Sequence, residues 1–213
     1  MRMPFRWRRA SCLGVSFLVV FASACARADR GREARASPKT DVPASPRVIP
    51  MGQPIPKGGG VYKVGNPYKI DGAVFTPAED PSYDRTGIAS FYSEDFHGRK
   101  TANGEIFDMW ALTAAHPTLP LPSFAYVTNV ANGRTLLVRI NDRGPYARGR
   151  VIDLSRASAR LLGFEMQGTS HVRVRYAGRA PLNGDDRHEQ QFLASRHWYR
   201  MAGWNGAQPP LNR

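Results

Sequence analysis

The sequence predicts a mainly β domain, a small barrel of about six strands interrupted by one short helix. Three observations predict it. Six short runs rich in apolar and β-branched residues recur between turn signals across residues 87–177. Glycine and proline are frequent, 20 and 17 in 213 residues, which suits turns better than a helical bundle. Asn132-Gly133 stands between two of the runs, and that dipeptide readily closes a hairpin.

Residues 1–24 read as a secretory signal. Arg2, Arg6, Arg8 and Arg9 form a basic start, and residues 12–22 an apolar run. The run falls short of the ~20 residues a membrane-spanning helix needs. Ala22-Ser23-Ala24 suits an ordinary signal peptidase. The same residues before Cys25 also resemble a bacterial lipobox, which would make Cys25 a lipidated first residue. Cys12 and Cys25 are the two cysteines, so the exported fold has no disulfide to use. The expectation is a monomeric, exported cell-envelope protein. It would be an outer-membrane lipoprotein facing the periplasm, or else a soluble periplasmic one.

Residues 25–60 lack apolar periodicity and end in Lys57-Gly58-Gly59-Gly60, which predicts a disordered, flexible tether. Residues 61–86 carry aromatic and β-branched residues and read as an arm packed on the domain. The six strands are expected at 88–92, 111–115, 125–130, 135–140, 150–154 and 171–176. A helix follows the fifth, with Ser155 as its cap, Leu161 and Leu162 as its apolar face and Gly163 as its end. Residues 178–213 form a C-terminal extension. Its residues 188–201 suit a short helix with Phe192 and Trp198 turned inward.

The chain carries a net charge of +13 with a pI near 10.4. Residues 87–177 contribute little of it, eleven Lys and Arg against seven Asp and Glu. The excess sits in the flanks, where anionic lipids or wall polymers suffice as partners. An exported protein meets no chromosome, so nucleic acid is not an expected partner. Neither a Cys/His cluster with metal spacing nor a phosphate-cradling loop nor a Gly-x-Ser-x-Gly elbow is present. No metal or cofactor is expected.

The ionisable candidates in the turns are Glu105, His116 and Asp142. Cleaving a glycosidic bond needs a group that protonates the leaving oxygen. A carboxyl does this near neutral pH only when burial or a like charge raises its pKa. An Asp before Arg-Gly-Pro also commonly holds its own turn. A His at a strand end is commonly structural, and a Glu after Asn-Gly commonly solvated. Spacing alone leaves these readings open. Asp153, between apolar residues of the fifth run, ranks as structural.

The segments FHGR (96–99), TANGE (101–105), LTAAH (112–116), NDRGP (141–145) and RVIDLS (150–155), in this order, resemble the rare lipoprotein A (RlpA) family of bacterial cell-envelope proteins. The resemblance covers residues 87–177 densely and also takes in 65–68. It implies a six-stranded double-psi β-barrel, in which two pseudo-symmetric halves interlock. It also implies an endolytic peptidoglycan lytic transglycosylase, taking part in wall remodelling and daughter-cell separation. Such enzymes cut the β-1,4 bond between N-acetylmuramic acid and N-acetylglucosamine, in glycan strands freed of stem peptides. They leave 1,6-anhydro ends without using water. The alternative is a non-catalytic, expansin-like peptidoglycan-binding lipoprotein.

The family's acidic residues fall on Glu105 and Asp142, its histidine on His116. The implied roles are Asp142 as acid and then base, and Glu105 assisting electrostatically or sharing the proton. His116 would orient the carboxyl or bind substrate. Asn141 and Arg143 would position Asp142. Tyr92, Phe96 and Trp110 would offer faces to sugar rings. His97, Arg99, Thr101 and Asn103 complete the expected substrate-binding set. Phe91 and Ser93 stand where the family often has Trp and Gly.

Overall fold

The computed structural model describes residues 45–202; the expected signal segment and Cys25 lie outside them. Eight strands run in chain order: β1 (Tyr68–Ile70), β2 (Ala73–Phe75), β3 (Asp84–Phe91), β4 (Thr113–Ala115), β5 (Ser123–Asn129), β6 (Thr135–Asp142), β7 (Arg150–Leu154) and β8 (Ser170–Arg179). The helices are α1 (Arg156–Leu162), α2 (Arg187–Ser195) and α3 (His197–Met201), and one 3-10 turn spans Glu94–Phe96.

Strands β3 to β8 close a barrel in the order β3-β7-β4-β6-β5-β8. The pairs β3–β7 and β4–β6 are parallel, the other neighbours antiparallel. All six expected strands are present. The interior follows the period of two. Leu136, Val138 and Ile140 of β6 meet Ala125 and Val127 of β5, Ile152 and Leu154 of β7, and Val172 and Val174 of β8 in one buried cluster. The other face of β6 is buried too. Leu137 packs with Phe124 and Ala180 beneath Phe192 of α2. A strand covered on both faces reads as a continuous apolar run, which is why residues 135–140 show so little polarity.

Strand β6 runs two residues further than the sequence suggested, through Asn141 to Asp142. Its register against β4 slips there, from Ala114 opposite Ile140 to Ala115 opposite Asp142. The slip leaves Asn141 as the extra residue of a bulge, a device that re-aims the side chains beside it. Pairing with β4 keeps a segment extended that looked like a turn.

Helix α1 begins as expected: the Ser155 side chain accepts from the Ser158 N–H, and Gly163 closes the helix in the left-handed region at φ 83°. The β5–β6 connection is longer than the two-residue turn that Asn-Gly suggested. Gly133 alone takes positive φ, and the Asn132 amide donates to Leu162 O. The two-residue turn lies instead at Asp71-Gly72, with φ 48° and 80°, joining β1 to β2. The expected C-terminal helix breaks into α2 and α3 at Arg196, which is extended (φ −76°, ψ 126°). Phe192 packs on Tyr126, ring centroids 5.2 Å apart.

The tether reading fails for residues 45–60, which run along the barrel. Val48 and Ile49 N–H groups both donate to Gly98 O (2.8 and 3.0 Å), and Lys57 pairs with Asp186 at 2.7 Å. These contacts use mostly backbone, so composition does not announce them.

Glu189 of α2 is a buried acid, 2% exposed, and its Oε2 has no hydrogen-bond partner among the described residues. Burial raises its pKa to about 7. A raised folded pKa gives stability that is full below the unfolded value and is lost as pH rises through about 7. Glu189→Gln should therefore raise the melting temperature at pH 8.5 and leave it nearly unchanged at pH 5, as read by thermal unfolding at both.

Candidate active site

Asp142 ends β6 at the barrel mouth. Its Oδ1 accepts the Ala102 and Arg143 N–H groups, both at 2.8 Å, and its Oδ2 faces the Tyr92 hydroxyl at 3.3 Å. Burial pushes the carboxyl up to about 6, against the downward pull of those donors and of the Arg143 charge. The residue as a whole is half-buried, while the protein packed around its carboxyl dehydrates that group. Tyr92 keeps its proton, because its own burial and the Asp142 charge raise it well above the ordinary phenol value. The Tyr92 ring lies 5.0 Å from Phe107 and 5.3 Å from Phe96, which is 37% exposed. Three expected residues, Asp142, Tyr92 and Phe96, thus come together at one mouth.

Glu105 is built differently. It is 5% exposed and ion-paired with Arg139, Nη2 to Oε1 at 2.6 Å. The Asn103 and Asn141 amides each donate to it at 3.0 Å. Burial alone would raise its carboxyl, but Arg139 and the two amides outweigh it and hold the pKa below the ordinary value. Glu105 is therefore ionised, with its lone pairs committed, and does not share a proton with Asp142. Asn141 belongs to this network as well and does not bond the Asp142 carboxyl. Thr101 donates to Asn103 Oδ1 at 2.8 Å, so Thr101 and Asn103 shape the loop beneath Ala102.

His116 does not orient the carboxyl through its ring. It is 1% exposed, and its Nδ1 accepts the Thr118 and Leu119 N–H groups (3.1 and 3.0 Å). The proton therefore sits on Nε2, which meets the Tyr83 hydroxyl at 2.8 Å. Burial, with Arg143 nearby, lowers its pKa to about 3, so it stays neutral. Its backbone N–H holds Asp142 O at 3.0 Å. The ring folds the loop whose carbonyls, His116 O and Leu119 O, receive the Arg143 guanidinium (3.2 and 2.6 Å). Arg143 thus braces the turn from the far side.

The remaining expected contacts are engaged elsewhere. His97 is buried, and its Nδ1 accepts from the Met109 N–H at 3.2 Å. The Arg99 guanidinium binds Asp95 O at 2.7 Å and also Ser45 O. The Trp110 ring is covered by Arg156 and Arg160, whose guanidinium carbons lie 6.0 and 5.8 Å from its centroid. Asp153 accepts from Ser90 at 2.5 Å inside the barrel wall.

Sequence reasoning missed Arg139, Tyr83 and Tyr146. Arg139 carried a signal: a cation in the middle of an apolar strand needs a buried acid. Among the described residues no group of His, Cys, Asp and Glu is placed to hold a metal.

Residues 84–176 match the family model described as lytic transglycolase. Over 127 residues the chain is 49% identical to the endolytic peptidoglycan transglycosylase RlpA of Pseudomonas aeruginosa, covering 59% of this chain and 37% of that protein. Over 108 residues it is 52% identical to the protein of the same name from Neisseria meningitidis, covering 50% of this chain and 45% of that one. Among solved structures it is similar to a Streptomyces papain inhibitor, at 23% identity and a TM-score of 0.39, over 47% of this chain and 99% of that chain. The closed six-stranded barrel lies within the span that resembles the lytic transglycolase family. The chain resembles the RlpA proteins named above over that part of its length. It spans less than half the length of the two curated relatives named.

Proposed function

We propose that this protein is an endolytic peptidoglycan lytic transglycosylase, with Asp142 as its catalytic acid and base. The observation that carries the reading is the Asp142 carboxyl, set at the end of β6 in a half-buried residue and raised to about 6. A carboxyl with that pKa is still protonated in part at neutral pH, as leaving-group protonation requires. Support also comes from relatives about 50% identical that bear the name endolytic peptidoglycan transglycosylase.

In the proposed reaction Asp142 gives its proton to the glycosidic oxygen as the bond from N-acetylmuramic acid C1 to that oxygen breaks. The carboxylate then takes the proton of the C6 hydroxyl, whose oxygen closes on C1. The products are a 1,6-anhydro end and a free 4-hydroxyl, and the acid is regenerated without water. Arg143 and the Ala102 N–H position the carboxyl. Tyr92 supplies a hydroxyl beside it, and Tyr92 and Phe96 offer ring faces to the sugar. Glu105 acts through the 101–105 loop.

Denuded glycan strands incubated with the protein should release anhydro-muramic ends, read by mass spectrometry. Sedimentation with peptidoglycan and no such ends would instead indicate a binding protein. The rate should fall about tenfold per pH unit above 6, as the acid loses its proton.

The same reading places the protein outside the cytoplasm, acting as a monomer and anchored by a lipid on Cys25. Metabolic labelling with a palmitate analogue should mark the protein, and Cys25→Ser should remove the label.

A further inference from the structure

Residues 60–75 lie outside the matched barrel span, yet they touch three segments around Asp142: the 101–105 loop, the 116–121 loop and the 143–146 turn. The Val61 N–H donates to Asn103 O at 2.9 Å, in the loop whose Ala102 N–H holds the Asp142 carboxyl. Gly60 lies so close to this loop that a Cβ there would sit 2.6 Å from Asn103 Nδ2 and 2.8 Å from Glu105 Cγ. Lys63 and Leu121 exchange both backbone hydrogen bonds, at 2.6 and 2.8 Å. The Tyr68 hydroxyl donates to Pro117 O at 2.7 Å, and the Arg143 Nη2 donates to Val64 O at 2.6 Å. Tyr68 and Phe75 of the β1–β2 hairpin stack at 5.3 Å. Both meet Tyr146, just past the Asp142 turn, edge-on at 6.1 and 5.7 Å.

We propose that residues 60–75 are a clasp that completes the active site, with Arg143 and Tyr68 as its positioning residues. The guanidinium of Arg143 spends its donors on three carbonyls, two from the 116–119 loop and one from the arm. That makes it a strut between arm and turn. The aromatic trio packs against the turn through Tyr146. The groups facing Asp142 are Tyr92 just past β3, Arg143 beside it and Tyr146 beyond the turn. Tyr68 stands behind Tyr146 and hydrogen-bonds with it. Undocking the hairpin opens this side to water, which favours the charged carboxylate and lowers its pKa. The clasp rests on the reading of Asp142 as the acid only for its kinetic consequence.

The test uses the full chain and three variants, Phe75→Ala, Tyr68→Phe and Val74→Ala. The last is a control, since Val74 lies on the hairpin's outer side, 68% exposed. Two quantities are measured: the Asp142 carboxyl titration by carbon-13 NMR, and kcat and KM on denuded glycan strands. The wild type should titrate near 6. Phe75→Ala should move the midpoint down by at least half a unit and lower kcat at pH 7 about threefold or more, with KM changed less than twofold. Tyr68→Phe, which keeps the ring and loses one hydroxyl, should shift both in the same direction by less. Val74→Ala should match the wild type. An unchanged midpoint and kcat in Tyr68→Phe and in folded Phe75→Ala overturns the clasp. A wild type with no activity on any strand overturns the enzyme reading, and the NMR midpoints then decide the clasp alone.

Discussion

Asp142→Asn should abolish anhydro-product formation and at the same time make the protein more stable above pH 6. General acid–base groups contribute on the order of 10²–10⁴-fold in rate. The amide has no acidic proton to give, so the loss should be in kcat, with glycan binding retained. The stability gain follows from the same burial. The wild-type pKa is raised from 3.8 to about 6, so the folded state prefers the protonated form. Its contribution is full below the unfolded value and is lost as pH rises through about 6. At pH 7.5 the folded protein holds an ionised carboxylate at a cost of about 1–3 kcal/mol. An amide removes that cost. Its oxygen can still accept the Ala102 and Arg143 N–H groups, and its NH₂ can donate to the Tyr92 oxygen. Thermal unfolding should show the variant melting higher at pH 7.5 and equal to the wild type near pH 4. An inactive variant that melts lower at both would place Asp142 as a turn former instead.

The barrel was legible because its strands are patterned locally. Val, Ile and Leu recur at period two in β6, β7 and β8, and Ser155 and Gly163 mark the ends of α1. The site was legible only as a set of names. Asp142, Glu105 and His116 could be picked out, but their separate fates depend on three-dimensional neighbours. Glu105 is paired with Arg139, thirty-four residues away, and the His116 ring is held by Tyr83, thirty-three away. The bulge at Asn141 sends adjacent residues to different networks, one to Glu105 and one to Ala102. The docking of residues 45–60 escaped notice for another reason. These residues bind largely through backbone groups, which every sequence carries alike.

Arg139→Met is expected to be the most destabilising single change outside the apolar core. Arg139 is 5% exposed, and its guanidinium makes three hydrogen bonds to Glu105, at 2.6, 3.0 and 3.3 Å. Methionine keeps much of the volume and strands Glu105 as a buried, unpaired carboxylate. Breaking such a pair costs about 3–5 kcal/mol. That is a fall of about 6–20 °C in melting temperature for a chain of this size. The pH dependence identifies the cause. The Glu105 pKa lies below its ordinary 4.5, so its contribution is present above that value and is lost as pH falls through the lower folded one. The deficit of Arg139→Met should therefore be largest at pH 7 and shrink as the medium becomes acid enough to protonate the stranded carboxyl. Glu105→Gln combined with Arg139→Met should recover part of the loss at pH 7, because no charge is then left buried. Arg139 Nη2 also donates to Pro181 O at 2.7 Å, where the chain leaves β8 for α2. Limited proteolysis should accordingly cut the 181–187 loop faster in Arg139→Met than in the wild type. Equal melting temperatures at pH 7 would mean that Glu105 finds water or another cation in the variant, and that the pair contributes little to the fold.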